Sequence, residues 1–338
     1  MTGTPPVRRR LLGAALRGYR ESMGYNLDQA ARILECDRSK VSRIETGQRG
    51  IRPKELRELL TEYGVAAVEQ EALLAIAHSG RLTGWWLDYA DVLSEAGQDY
   101  VIMEAAATEV LSFEPNQVPD LLQTSRYASA VAEADANCTS AEQRAHAVEV
   151  KLARQRIALG PNVTAAGLPG TGVPGTGVSG AAAPGASVTA LRPAEPQAGR
   201  VGRARTRRLD FVVTEGALRQ AVGGPGVMRD QLSRLAALAE AGTSSGTGTG
   251  TGVRARISVR VLPFAAGAHA AAGCGSMSIL RFARTPGIGV IHLAGLSGGV
   301  SLEGREEVAR YLRTFSQLKT AALTPAESGR LLRAMARG

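Results

Sequence analysis

Apolar residues recur at helical spacing through the first part of the chain, which predicts four short helices that each bury one face. Leu12, Ala15, Leu16 and Tyr19 share a face of a helix over 9–23, and Gly24 ends it. Asn26 is placed to cap a second helix. Gln29 reaches back to it as a capping box, leaving Ala30, Ala31, Ile33 and Leu34 to pack inward. Asp37 is the expected N-cap of a third helix, in which Val41 and Ile44 lie on the buried side. A fourth begins at Pro53, a residue suited to a first helical position, and buries Leu56, Leu59 and Leu60. The helical pattern continues over 65–79.

Gly84-Trp85-Trp86 opens a different region, with helices expected over 100–111, 119–134 and 140–159. From Gly160 to Gly199 the composition collapses to Gly, Pro, Ala, Thr, Val and Ser, including a repeated PGTGV, and such a stretch cannot form a packed core. A shorter Thr-Gly repeat spans 242–252. Between and beyond these inserts, alternation predicts strands over 209–214, 257–262, 277–282 and 289–293, the last two joined by a Pro286-Gly287 turn. A helix over 225–241 follows the turn Gly223-Gly224-Pro225, and two helices close the pattern. The second of these starts with the capping box Thr324-Pro325-Ala326-Glu327. The expected fold class is therefore multidomain: an all-α helix-turn-helix domain (1–64), a helical connector (65–83) and an α+β domain (84–338). The α+β domain carries disordered Gly/Pro/Thr-rich inserts at 160–208 and 242–253.

Charge sharpens the N-terminal reading. The formal net charge is +9 over 338 residues, and basic residues well outnumber acidic ones within 1–60, which points to an anionic partner. A helix-turn-helix sets one helix across the phosphate backbone and a second in the major groove. With Val41 and Ile44 inward, Arg38, Ser39, Ser42 and Arg43 fall on the opposite side of the third helix and are the candidate base-reading residues. Arginine grips guanine O6 and N7 with two hydrogen bonds, whereas serine is permissive. Asn26, Gln29, Lys40, Arg49 and Lys54 are the candidate phosphate contacts. The expected partner is double-stranded DNA. A single helix-turn-helix makes few base contacts, so a homodimer is expected.

No other chemistry emerges. Cys36, Cys138 and Cys274 lack paired-ligand spacing, and His78, His146, His269 and His292 are scattered, so neither metal, cofactor nor catalytic group is expected. His269, Cys274 and Ser276 lack a third orienting group for a nucleophile site. Gly170-Thr171-Gly172 has no flanking strand and helix to make it a dinucleotide loop. Arginines between Arg200 and Arg208 read as the solvated flank of the insert, with nonspecific DNA binding as the sharper alternative. Trp85 and Trp86 read as packing at the domain junction. With no unbroken apolar signal segment and no membrane-length apolar run, the expected setting is cytoplasmic and nucleoid-associated.

Residues 11–64 resemble the XRE (Cro/repressor-type) helix-turn-helix domain through Gly24, Ala31, Ser39, Val41, Ser42, Ile44, Glu45 and Gly47. The resemblance implies that Glu45 supports the fold near the helix end. Leu27 departs from it, standing where a phosphate-contacting glutamine is common. The remainder is similar to the antitoxin-like C-terminal domain of actinobacterial WhiJ-type regulators. The similarity rests on Trp85, Glu104-Ala105, Val118 to Ala128, Arg154-Gln155, Thr214 to Gly224, Val261 to His269 and the LTPAES start of the last helix. Asp120 departs from that pattern, where glycine is usual. This second resemblance implies a transcription regulator whose C-terminal domain binds a partner or effector, often a small protein encoded nearby. The alternative is an interaction protein that sequesters such a partner, with DNA binding for autoregulation.

Overall fold

Val7–Ser22 forms α1, and its inward stripe of Leu11, Leu12, Ala15, Leu16 and Tyr19 is buried as the periodicity requires. The structure is a computed structural model that describes residues 7–78, 85–159, 206–242, 254–282, 289–296 and 298–338. After Gly24, which takes a φ of +70°, come α2 (Leu27–Ile33), α3 (Arg38–Glu45), α4 (Pro53–Glu62) and α5 (Ala67–His78). The α2 capping box forms as expected, with Asn26 and Gln29 each accepting from the other's backbone N–H at 2.9 and 2.8 Å. Asp37 occupies the N-cap position of α3 but makes no capping hydrogen bond with its side chain. α1 crosses α3 so closely that a Cβ on Gly13 would lie 2.5 Å from the carbonyl oxygens of Ile44 and Glu45. Only glycine admits that approach.

The apolar cluster of these helices continues through Leu73, Leu74 and Ile76 of α5 into Met103 and Ala106 of α6 (Glu95–Ala106), and on to the sheet. Two ion pairs accompany it. Arg8 of α1 lies 3.3 Å from Asp99 of α6, and Arg10 reaches Glu303 at 2.6 Å.

The C-terminal region is built on a six-stranded mixed sheet in the order β3-β2-β1-β4-β5-β6. The strands are β1 (Glu109–Glu114), β2 (Thr206–Thr214), β3 (Arg254–Leu262), β4 (Met277–Arg281), β5 (Gly289–Leu293) and β6 (Val300–Glu303). β1, β2 and β3 run parallel, and β4, β5 and β6 continue antiparallel from β1. Between β1 and β2 lie α7 (Ser125–Ala134) and α8 (Ala141–Leu159). α9 (Glu215–Arg219) and α10 (Pro225–Ala241) connect β2 to β3, and α11 (Arg305–Ala321) and α12 (Pro325–Arg337) follow β6. The start of α12 covers the β3 edge: the Val261 N–H donates to Ser328 Oγ at 2.9 Å, and the Leu323 N–H donates to the Val261 carbonyl at 2.9 Å. Both groups would otherwise be unpaired strand-edge polar atoms.

Several expectations need correction. The helix expected over 100–111 begins earlier, at Glu95, and ends at Ala106, because Glu109–Glu114 is the strand β1 at the centre of the sheet. Its pairing on both sides outweighs the helical propensity of the preceding run. The helix expected over 119–134 is split: Asp120–Leu122 is a 3-10 turn, and Thr124 caps α7 through the Tyr127 N–H. Thr206, Arg207 and Arg208, expected in the insert, belong to β2, and Val300–Glu303 forms β6, a strand that alternation does not predict. Arg207 is buried and donates to the Ala105 carbonyl, so it is not a solvated flank, whereas Arg208 is exposed, as that reading expects, and pairs with Glu109 and Asp210 from the strand. The rest of the long insert, the Thr-Gly repeat after Gly242 and the Pro286-Gly287 turn lie outside the described residues. Trp85 and Trp86 are half-buried in a 3-10 turn, where Trp85 meets Trp86 and Tyr89 edge-on at 6.1 and 5.8 Å. They form a small aromatic cluster on α8, since the neighbouring Tyr89 hydroxyl donates to Glu149 at 3.0 Å.

Candidate functional site

α3 is short, and its amphipathicity decides what it can touch. Val41 and Ile44 are 1% and 2% exposed, which turns Arg38, Ser39 and Arg43 to solvent. Ser42 is half-buried, and its carbonyl accepts from the Thr46 hydroxyl at 2.9 Å. The Arg43 Nε donates to the Ser39 carbonyl at 3.2 Å, which lays the guanidinium along the helix surface. Arg38 stands 3.9 Å from Asp28 of α2, an exposed and weak pairing.

The phosphate candidates divide. Arg49 and Lys54 are exposed, Lys54 with 89% of its side chain in solvent. Asn26 and Gln29 spend their side-chain oxygens on the α2 cap, which leaves their NH2 groups as donors at the surface. Lys40 is placed differently. Its Nζ is held 2.8 Å from Glu55 Oε1 in a half-buried pair, so a phosphate has to compete with Glu55 for it. Lys40 also holds the Glu55 carboxyl below the usual carboxylate range, against the opposing effect of burial.

A pair that the sequence pattern missed locks the motif together. Arg20 of α1 donates from Nε and Nη2 to the two oxygens of Glu45 at 2.7 and 2.9 Å, and from Nη1 to the Tyr25 carbonyl at 2.7 Å. One guanidinium thereby fixes the end of α3, the α1–α2 turn and α1. The hydrogen bond to Glu45 raises the Arg20 pKa despite burial. Helical periodicity gave Glu45 no partner, because Arg20 lies beside the apolar stripe of a different helix. Leu27, half-buried, packs against the core.

In the C-terminal region Arg154 of α8 donates to both oxygens of Glu104 at 2.8 and 2.9 Å and to Asp120 at 2.9 Å, and its guanidinium lies 5.3 Å from the centre of the Tyr100 ring. Lys151 closes on Asp120 at 3.2 Å. Burial opposes charge on Asp120, but Lys151 and Arg154 overrule it and hold that carboxyl far below its ordinary range. Gln155 donates to the Asp120 and Gln123 carbonyls at 2.8 and 2.9 Å, fixing the 3-10 turn. His269, Cys274 and Ser276 form no hydrogen-bonded nucleophile site among the described residues, and the buried His269 Nδ1 has no hydrogen-bond partner there. His269 meets Phe113 edge-on at 5.7 Å, Cys274 packs with the apolar cluster around Phe113, and Ser276 lines a cavity with Ser278.

Residues 11–73 match the family model of a helix-turn-helix domain. Residues 98–166, 186–245 and 249–334 match the model of a domain of unknown function, DUF5753. No curated protein and no solved structure matches the chain. Among the described residues no helix is long and apolar enough to cross a membrane.

Proposed function

Since the chain belongs to the DUF5753 family and joins that domain to a helix-turn-helix, we propose that it is a sequence-specific transcriptional regulator. In this reading it acts as a homodimer, and its C-terminal domain takes up an effector or small partner protein that adjusts promoter occupancy. The observation that supports the reading best is the outward face of α3, where Arg38, Ser39 and Arg43 are exposed directly behind a fully buried Val41 and Ile44. Arg38 and Arg43 read base edges, and Arg49 and Lys54 supply charge to phosphates.

The test is anisotropy on a selected duplex across a salt series. Arg43→Ala is expected to lose about 1–3 kcal/mol on the preferred site and to relax specificity at one position. Lys54→Ala is expected to weaken all sequences alike and to lower the salt slope by about one. Equal affinity of wild type and Arg43→Ala at every salt concentration would remove Arg43 from base reading. A small protein that co-purifies in stoichiometric amount without altering DNA occupancy would favour sequestration over regulation.

A further inference from the structure

The two faces of the sheet are unlike. Toward α11 the central strands present one apolar cluster, including Leu111, Phe113, Ile279 and Ile291. On the opposite face, register places Ser112 beside Ser278, Ser278 beside His292, and His292 beside Ser301, so a polar row crosses β1, β4, β5 and β6. Covered polar groups lose hydration that burial does not return unless something hydrogen-bonds them. Over this row lies a cavity of about 210 Å³, walled by α6, α8 and the 3-10 turn at Asp120.

The lining is not balanced in charge. Three carboxylates, Glu104, Glu114 and Asp120, face it together with one guanidinium, that of Arg154. Arg154 is fully committed to Glu104 and Asp120, and Lys151 serves Asp120 from behind. Glu114 is left over. Its carboxyl accepts a long 3.4 Å hydrogen bond at Oε1 from the Ser112 hydroxyl and a further one from Ser276, while its Oε2 is sealed from solvent with no hydrogen-bond partner among the described residues. Burial pushes the Glu114 carboxyl up to about 7, with a hydrogen bond from Ser276 opposing and the Asp120 charge adding to the rise. His292 supplies no compensating charge, because burial lowers its pKa, and the Tyr100 hydroxyl is already donated to Glu104 at 2.9 Å.

We propose that this cavity binds a small molecule carrying a protonated amine, which pairs with Glu114 while the row of Ser112, Ser278 and His292 hydrogen-bonds the rest of it. The amine supplies the opposite charge that Glu114 lacks, and it reaches the unpartnered Oε2 by a rotation of the carboxyl that turns this oxygen into the cavity. The cavity wall also offers a route outward. α6 contributes Tyr100 and Glu104 to the cavity, and its Asp99 pairs with Arg8 of α1. A ligand that shifts α6 therefore acts on the element joined to the helix-turn-helix. That regulatory consequence rests on the transcription-regulator reading, whereas amine binding does not.

The test uses calorimetry and thermal melting of the full chain at pH 8. The probes are ethanolamine, putrescine and agmatine, all cationic at pH 8, set against ethylene glycol and 1,4-butanediol. An amine is expected to bind one per chain and raise Tm where its neutral counterpart does neither. Affinity is expected to fall about tenfold between pH 8 and pH 6 as Glu114 takes up a proton. Glu114→Gln is expected to melt at or above the wild type without amine and to bind amine at least tenfold more weakly. Should Glu114→Gln melt lower, Ser278→Ala, which leaves the carboxyl intact, takes its place with an expected threefold or greater loss. Absence of amine binding to the wild type, or undiminished binding to the variant used, overturns the proposal. Measuring a selected duplex with the same preparations separates the two readings. Amine binding that leaves DNA affinity unchanged removes only the coupling, and amine binding by a protein that selects no DNA removes only the regulator.

Discussion

Glu45→Ala is expected to unfold the helix-turn-helix at neutral pH while leaving the sheet folded. The Glu45 and Arg20 side chains are 7% and 9% exposed, so the substitution strands a guanidinium in a site with little access to water. Removing one partner of a buried ion pair costs about 3–5 kcal/mol, a large share of the stability of a small helical domain. What remains is the uncharged Tyr25 carbonyl and the carboxylate of Glu21 at 3.6 Å, which is half exposed and screened by solvent and so compensates little of the lost charge. Replacing both partners by apolar residues of similar volume is often neutral. The double variant Arg20→Met/Glu45→Leu should therefore recover most of what Glu45→Ala loses. Hydrogen exchange resolved over residues 7–78 measures this directly. Equal loss of protection in the single and double variants would show that hydrogen-bond geometry, not stranded charge, sets the cost.

Arg154→Met is the second large effect, and it falls on the other domain. The Glu104 side chain is 3% exposed and loses both of its charged hydrogen bonds, while Asp120 keeps Lys151. The expected loss at pH 7 is again about 3–5 kcal/mol. Its pH dependence identifies the cause. A buried carboxylate without its cation has a folded-state pKa raised above the unfolded value, so its stabilising contribution is present at low pH and lost as pH rises through the folded pKa. Urea unfolding at pH 7 and pH 5 should therefore show the gap between wild type and variant narrowing on acidification. Asp120 works in the opposite sense, since its depressed pKa gives stability that is present above the unfolded value and lost only in acid. A gap of equal size at both pH values would mean that Arg154 acts by packing against Tyr100.

The helices of the N-terminal domain and the last helix were legible in the sequence because local chemistry specifies them, whereas those around β1 were misplaced and α9 was not read. The Asn26–Gln29 and Thr324–Glu327 boxes both form, and the inward residues of α1 to α4 follow from a period that needs no knowledge of partners. β1 was not legible. Its residues continue an apolar run, and only pairing to strands distant in sequence makes them a strand. The same reason hid the polar row, since Ser112, Ser278 and His292 are unremarkable until register sets them side by side. The residues proposed to face DNA stand between these cases. The face of α3 could be read from Val41 and Ile44, but Lys40 turns to Glu55, a partner fixed by the packing of α4.

Selection of DNA sites from a random duplex pool with the purified full chain tests the central claim most directly. The expected result is one enriched motif with two related half-sites about one helical turn apart or a multiple of it, as a two-fold dimer with α3 in successive major grooves requires. Arg43→Ala should lose information at one symmetry-related position in each half. An unenriched pool, or an enriched motif that Arg38→Ala and Arg43→Ala leave unchanged, would contradict sequence reading by α3.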